Sequence, residues 1–123
     1  MISLKEVERI HEILIDKFGG TKGSRDRGAL ESAMNRPYQT FDQKELYPDP
    51  IDKADAIFES LISNHSFIDG NKRTAYVLMR LTLSENNLDF QADPNEKYDF
   101  VLKAAKGEMK FDQIKIWLTN HVK

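Results

Sequence analysis

The sequence predicts an all-α domain of about six helices. Apolar residues recur at three- and four-residue spacing through most of the chain, which is the periodicity of an amphipathic helix. Short stretches rich in Gly, Pro, Asn or Asp separate these segments, and such stretches commonly end one helix and begin the next. The chain has 123 residues, of which 40% are hydrophobic and 31% are charged. This length and balance fit one globular domain that spans residues 1–123.

The first half of the chain contains two predicted helices and an irregular segment. Ser3 and Glu6 have the spacing of a capping box and mark the start of an apolar stripe that runs from Leu4 to Phe18, just before Gly19. After a turn-rich stretch, residues 29–35 are predicted to form a short helix that stops before Pro37. Residues 36–50 hold several prolines and scattered aromatic residues, so we expect a loop with room for a short extended flap.

The second half of the chain contains four predicted helices. The apolar stripe of residues 51–64 has His65 as its next position, so this helix is expected to direct His65 inward. Residues 71–85 carry apolar side chains around much of their circumference, as a buried central helix does. A fifth helix is predicted from Asp93 to Gly107, with an apolar stripe from Tyr98 to Ala105, and the sixth has an apolar face between Phe111 and His121.

The overall charge and composition exclude several classes of protein. The 18 Lys and Arg residues against 20 Asp and Glu give a net charge of −2, which gives no general attraction to nucleic acid or anionic membranes. The chain has no cysteine, so disulfide frameworks and cysteine chemistry are excluded. We see neither an export signal nor an apolar run of the roughly 20 residues that a membrane span needs. We therefore expect a cytoplasmic protein that binds neither nucleic acid nor membranes directly.

The segment HSFIDGNKRT, from His65 to Thr74, concentrates polar side chains between two apolar helices. Core stability does not call for such a density of polar groups. Gly70 can adopt a positive φ, and the start of the following helix offers unpaired N–H groups and a partial positive charge. Lys72 and Arg73 fall in the first turn, where cations oppose the helix dipole, and a bound phosphate would explain their presence.

The same segment suggests nucleotide chemistry with Mg²⁺. Asp69 is a single carboxylate beside the anion cradle, and Mg²⁺ often combines one or two carboxylates with phosphate oxygens and water. His65 could act as a general base, because imidazole titrates near neutral pH. Taken singly, His65 would be a core histidine, Asp69 a helix cap, and Lys72 with Arg73 a solvated pair. The clustering of these residues in one segment favours a catalytic site over these separate structural roles.

The segment HSFIDGNKRT resembles the Fic/Doc signature: His, any residue, Phe, any residue, Asp or Glu, Gly, Asn, Gly or Lys, Arg. The segment GGTKGSRDRGALESAMNRP and the chain length are similar to the death-on-curing (Doc) branch, so the resemblance covers nearly the whole chain. The resemblance implies His65 as the catalytic base and Asp69 as the Mg²⁺ ligand. It also implies phosphate contacts from Asn71, Lys72 and Arg73, with backbone help at Gly70.

Two departures from the AMP-transferring members of this family bear on the reaction. Those enzymes usually have Gly at the position of Lys72 and a second Arg at the position of Tyr76. Doc-like members share the Lys and resemble kinases. The resemblance therefore implies transfer of the γ-phosphate of ATP to a Ser or Thr hydroxyl of a protein, with elongation factor Tu as the family's substrate and translation as the process blocked. The alternatives are a Fic-type AMP transferase and a catalytically silent interaction module.

The resemblance also implies the partners of the chain. The inhibitory motif of many Fic enzymes, Ser or Thr four residues before a Glu that is followed by Gly or Asn, is not present in the sequence. Inhibition by a separate antitoxin protein is implied instead. The predicted flap within residues 36–48 is where an extended substrate segment could add as a strand.

Several other residues leave alternatives open. Arg25 and Asp26 match the Doc-like pattern, but a turn with a capping Asp explains them equally well. Arg80 could reach the site or pair with an acid. His11 and His121 fall on apolar stripes without a polar cluster comparable to that around His65, and Trp117 lies on a terminal apolar face, so we expect all three to be packing residues.

Overall fold

The computed structural model describes residues 2–122, so the two ends of the predicted domain, Met1 and Lys123, lie outside the described residues. Residues 2–122 form six α-helices, one short 3₁₀ helix and one two-stranded hairpin, which confirms the predicted all-α fold with a small flap. The helices are α1 (Leu4–Phe18), α2 (Arg27–Asn35), α3 (Pro50–Asn64), α4 (Asn71–Ser84), α5 (Pro94–Ala105) and α6 (Phe111–His121), and the 3₁₀ helix is Arg36–Tyr38.

The helices begin where capping residues satisfy the first backbone N–H groups. Ser3 and Glu6 form the predicted capping box of α1, and Asp93 and Glu96 form another at α5. Asp26 accepts a hydrogen bond from the Ala29 N–H at 3.0 Å, so α2 begins at Arg27, two residues earlier than predicted. Local side-chain chemistry therefore accounts for these three boundaries.

The core lies between α3 and α4, and its buried apolar residues come from all six α-helices. Helix α3 packs against α2, α4, α5 and α6, and α4 packs against α1, α3 and α5. The predicted central helix α4 therefore shares the centre of the fold with α3. Fully buried side chains of these two helices include Phe58, Leu61, Leu78, Met79 and Leu83, and each contributes about 1.5–3 kcal/mol relative to an exposed side chain.

An aromatic stack joins α3, α5 and α6. The Phe58 and Phe100 rings stack with centroids 5.1 Å apart, and Phe100 stacks on Trp117 at 4.0 Å. His121 stacks on the other side of Trp117, also at 4.0 Å, and its Nδ1 lies 2.7 Å from the Trp117 carbonyl oxygen. The prediction that Trp117 and His121 serve packing is in keeping with these contacts.

The flap is a short antiparallel hairpin that follows the 3₁₀ helix. Strand β1 (Thr40–Phe41) pairs with strand β2 (Lys44–Glu45) across a two-residue turn. Asp42 and Gln43 both have positive φ, as a turn matched to the right-handed twist of a hairpin requires. The chain next to this hairpin is held to α3 by Arg36, whose guanidinium donates to Glu59 Oε1 at 2.9 Å and Ser60 Oγ at 3.0 Å.

Two of the predicted apolar stripes differ from the buried faces in the structure. In α1 the buried residues are Val7, His11 and Ile15, whereas Phe18, which we placed on the stripe, is 54% exposed. In α5 the buried residues are Phe100 and Ala104, whereas Tyr98, the first residue of the predicted stripe, is 67% exposed and Val101 and Ala105 are only partly buried against the core. Within the described residues, no helix has the length and apolar character to cross a bilayer.

Candidate active site

Residues 65–70 form the loop that connects α3 to α4. His65 ends α3 in the left-handed conformation, with φ 51° and ψ 48°, a region that His adopts more readily than most residues. The side chain of His65 is exposed and lines a surface cavity. The expectation that α3 directs His65 into the interior is therefore wrong, because the left-handed turn takes His65 off the helical stripe.

The side chain of Asn71 makes two hydrogen bonds to the backbone of this loop. Its Oδ1 accepts a hydrogen bond from the Phe67 N–H, and its Nδ2 donates to the Phe67 carbonyl, both at 3.0 Å. The amide therefore pairs with the Phe67 backbone as a neighbouring strand would. Phe67 is only 2% exposed, so the loop is anchored in the core. The Asn71 side chain has a structural role whether or not it also contacts phosphate.

The segment between α1 and α2 forms backbone hydrogen bonds with this loop. The backbone N–H groups of Arg25 and Asp26 donate to the Ser66 carbonyl at 2.8 and 3.0 Å, and the Ile68 N–H donates to the Gly23 carbonyl at 3.1 Å. Arg25 and Asp26 thus act on the loop through their backbone, and the Asp26 side chain caps α2. The alternative of a turn with a capping Asp is therefore confirmed for Asp26.

The N-terminus of α4 points into the same region. Gly70 is the N-cap residue with φ 75° and ψ 19°, and no side chain caps the helix there. A Cβ atom at Gly70 would lie 3.1 Å from Ile15 Cδ1, so glycine also allows α1 to approach closely. The first N–H groups of α4 have no partners within the helix and carry the positive end of its dipole. Lys72 and Arg73 add two exposed cationic side chains beside them.

The Asp69 carboxylate is oriented by two backbone donors. Its Oδ1 accepts a hydrogen bond from the Gly70 N–H at 2.9 Å, and its Oδ2 accepts one from the Thr21 N–H at 3.2 Å. A Cβ atom at Gly20 would lie 2.8 Å from Asp69 Oδ2, so only glycine fits beside the carboxylate. Each oxygen keeps an unused lone pair. This donor set fits Mg²⁺, which accepts one protein carboxylate together with phosphate oxygens and water.

His11, which we expected to be a packing residue, contacts the loop directly. It is 2% exposed, its Nε2 lies 2.7 Å from the Asp69 carbonyl oxygen, and its ring stacks on Phe67 at 3.8 Å. The sequence offered one signal for this contact, a histidine on the buried face of α1 followed by the Gly19–Gly20 pair. That signal does not say which segment the histidine meets.

One cavity of about 710 Å³ brings together all the predicted site residues. His65, Asp69, Gly70, Asn71, Lys72 and Arg73 line it from the loop and the first turn of α4. The volume falls within the roughly 300–1,000 Å³ range of small-molecule sites. Lys72, Arg73 and Lys97 supply positive charge to the lining, and Asp69 is its acidic residue. This balance suits a polyanion with a bound cation.

The apolar part of the cavity lining comes mainly from α5. Val101, Leu102 and Ala105 contribute to it together with Ile62 of α3, and Tyr98, which also lines the cavity, is 67% exposed. The α5 stripe therefore lines this cavity, while its residues Val101 and Ala105 also pack partly against the core. The cavity thus combines an apolar surface with the cationic start of α4, and this combination suits a nucleotide, which has both a base and phosphates.

A family model described as the Fic/DOC family matches residues 1–83, well over half of the chain. The chain belongs to the Fic/Doc family. The matched residues run from α1 into α4 and include the whole connecting loop.

Two curated Fic/Doc relatives are similar to the chain. The protein named Toxin Doc from Mycolicibacterium smegmatis (strain ATCC 700084 / mc(2)155) is 42% identical over 76 residues, which cover 62% of this chain and 58% of that protein. The protein named Protein kinase doc from Escherichia phage P1 is 28% identical over 113 residues, which cover 92% of this chain and 88% of that protein. The chain thus aligns with less than two thirds of the mycobacterial protein.

Helix α4 carries two further residues that the sequence singled out, Arg80 and Tyr76. Arg80 forms a bidentate ion pair with Asp89, in which Nη2 lies 2.6 Å from Oδ2 and Nε lies 3.2 Å from Oδ1. Arg80 thus pairs with an acid, and its hydrogen bond lowers the pKa of Asp89.

Tyr76, at the position where AMP-transferring relatives usually have Arg, lines the cavity, and its ring meets Phe90 edge-on at 5.9 Å.

Proposed function

We propose that this chain is the toxin of a toxin–antitoxin module and acts as a Doc-like protein serine/threonine kinase in the cytoplasm. It transfers the γ-phosphate of ATP to a protein hydroxyl, with elongation factor Tu as the target and arrest of translation as the result. The observation that carries the proposal is the single cavity that joins His65 and Asp69 to the cationic first turn of α4. The names of the two relatives support the toxin and kinase assignments.

In the proposed reaction His65 is the general base. Its imidazole takes the proton of the attacking Ser or Thr hydroxyl, the hydroxyl oxygen forms a bond to the γ-phosphorus, and the bond from that phosphorus to the β–γ bridging oxygen breaks, which releases ADP. The left-handed conformation of His65 supports this role, because it presents the side chain at the cavity surface.

The phosphates are held by the start of α4. Arg73 and Lys72 contribute charge, and the backbone N–H groups after Gly70 donate hydrogen bonds to phosphate oxygens. Asp69 would hold the Mg²⁺ ion, which when bound neutralises charge on the phosphates and orients them. The two backbone donors to Asp69 hold its carboxylate in place before the ion arrives.

Lys72 and Tyr76 favour phosphate transfer over AMP transfer. Lys72 occupies space beside the cradle that a glycine would leave for a nucleotide diphosphate, and Tyr76 supplies no cationic donor for a terminal phosphate. A separate antitoxin protein would restrain the enzyme through a segment that folds on binding.

Intact mass spectrometry of elongation factor Tu tests the proposal. The target is incubated with the chain, ATP and Mg²⁺, and His65→Ala and His121→Ala serve as matched histidine variants inside and outside the cavity. We expect a phosphate-sized increment with the wild type and His121→Ala but not with His65→Ala. An AMP-sized increment would overturn the reaction type, and no increment would overturn the assigned target.

Growth of cells that express the chain provides a second test. Expression of the wild type should arrest growth, and expression of His65→Ala should not. Growth arrest by both proteins would contradict a toxin activity that depends on this site.

A further inference from the structure

His11 makes a directed contact with the centre of the connecting loop. Its Nε2 lies 2.7 Å from the carbonyl oxygen of Asp69, a residue 58 positions away in the chain. A carbonyl oxygen can only accept, so Nε2 must carry the hydrogen and donate it. The contact therefore selects the imidazole form that is protonated on Nε2.

The imidazole ring is held in place by a second contact. It stacks on the Phe67 ring with centroids 3.8 Å apart and an angle of 5° between the planes. Phe67 is in turn bound through its backbone to the side chain of Asn71. His11 is thus fixed between two loop residues, and at 2% exposure its hydrogen bond is shielded from water.

The peptide bond that follows Asp69 links this contact to the carboxylate. The Asp69 carbonyl and the Gly70 N–H belong to one planar trans peptide, in which the two groups point in opposite directions. A hydrogen bond that fixes the carbonyl therefore also fixes the Gly70 N–H. That N–H donates to Asp69 Oδ1 at 2.9 Å. The direction of the carboxylate thus depends on His11 through one rigid group.

We propose that His11 is a positioning residue, which sets the orientation of the Asp69 carboxylate and of the α4 N-terminus by donating from Nε2 to the Asp69 carbonyl. This inference rests on the proposed function for its effect on turnover. The geometry separates the two roles of the side chain, because the ring packs against Phe67 and the Nε2–H alone makes the directed contact.

Two substitutions separate packing from hydrogen bonding. His11→Phe keeps a flat ring against Phe67 but has no donor, and His11→Gln can place an amide donor near the position of Nε2. His121→Phe is the matched control, because His121 also stacks on an aromatic ring and lies against a carbonyl oxygen, but its partners are Trp117 and Glu96 and not the connecting loop.

Binding of Mn²⁺ with a non-hydrolysable ATP analogue is the first measurement. Loss of a group that orients a metal ligand typically lowers metal affinity by about 10–100-fold. We expect His11→Phe to lose about tenfold or more in affinity, and His11→Gln to stay within about threefold of the wild type. His121→Phe should bind as the wild type does. Equal losses in His11→Phe and His11→Gln, or none in His11→Phe, would overturn the inference.

Nuclear magnetic resonance of the free protein supplies a readout that requires neither nucleotide nor activity. The ring nitrogen signals of His11 should show the hydrogen on Nε2, and the Gly70 amide hydrogen should exchange faster with solvent in His11→Phe than in the wild type or His11→Gln. A hydrogen on Nδ1 alone, or unchanged exchange at Gly70, would contradict the inference. If these signals appear as expected while the target gains no phosphate, the proposed function fails and the positioning role stands.

Discussion

The guanidinium carbon of Arg73 lies 4.2 Å from the centroid of the Phe18 ring. A guanidinium that stacks on an aromatic face keeps its N–H groups free in its own plane. Phe18, at the end of α1, therefore orients Arg73 without blocking the donors that would bind phosphate. The apolar periodicity of α1 predicted a buried Phe18, but its exposure of 54% accords with a surface platform for this arginine.

Replacement of Phe18 should weaken nucleotide binding. Exposed contacts between a cation and an aromatic ring contribute about 0.5–1 kcal/mol, which corresponds to roughly a two- to fivefold change in affinity. We expect Phe18→Leu to weaken ATP binding by about this factor and Phe18→Trp to preserve it, as measured by isothermal titration calorimetry. Ile13→Leu, an exposed apolar change on the same helix, is the control. Tighter binding by Phe18→Leu would mean that the ring holds Arg73 away from the nucleotide.

A side chain at Gly20 should disturb Asp69 specifically. Gly19 and Gly20 both have positive φ, so alanine at either position carries backbone strain of about 1–3 kcal/mol. Only at Gly20 would the Cβ atom also meet Asp69 Oδ2, at 2.8 Å, whereas nothing lies within 4 Å of a Cβ at Gly19. Both variants should melt at lower temperature, but Gly20→Ala should lose more affinity for Mn²⁺ with the ATP analogue. Equal affinities in the two variants would argue against this contact.

The Asn71 amide should be needed for loop stability. In Asn71→Asp the carboxylate can still accept from the Phe67 N–H, but it has no donor for the Phe67 carbonyl. We expect the free energy of unfolding to fall by about 1–2 kcal/mol, because the Phe67 carbonyl loses its donor. The new negative charge at the positive end of the α4 dipole offsets part of this loss. Urea unfolding measures the change, with the exposed Asn95→Asp in the first turn of α5 as the control. A stability equal to that of the wild type would show that the amide pairing contributes little.

Asp55 should make the stability of the chain depend on pH. Its side chain is fully buried, and within the described residues neither of its carboxylate oxygens has a hydrogen-bond partner. The pKa of Asp55 is raised to about 9, mainly by burial and secondly by the negative charge of Glu59. The positive charge of Arg36 acts in the opposite direction. Between about pH 4 and the folded-state value the folded chain keeps a proton that the unfolded chain has released. The free energy of unfolding therefore falls as pH rises, by at most ~1.4 kcal/mol per pH unit.

Asp55→Asn should remove this dependence. Its stability relative to the wild type should increase between about pH 5 and about pH 8, as measured by urea unfolding at both values. The exposed Asp99→Asn provides the control, which should follow the wild type at both pH values. A difference between Asp55→Asn and the wild type that stays constant with pH would show that Asp55 is ionised in the folded chain.

Local chemistry in the sequence was enough to predict most helix boundaries. Ser3 with Glu6 and Asp93 with Glu96 form capping boxes between residues three positions apart, so short-range rules suffice to find them. The connecting loop was also predictable, because its polar residues are adjacent in the chain and form a recognisable motif. The structure places all six of the predicted site residues at one cavity.

The tertiary structure decided which segments those elements meet. Apolar periodicity identifies residues that share a helix face but does not say what the face contacts, so it could not show that the α5 stripe lines a cavity as well as the edge of the core. The left-handed turn at His65 likewise placed it at the surface. The contact between His11 and Asp69 joins residues 58 positions apart. It exists only because α1 packs against the N-terminus of α4, where Gly20 and Gly70 leave room for that approach.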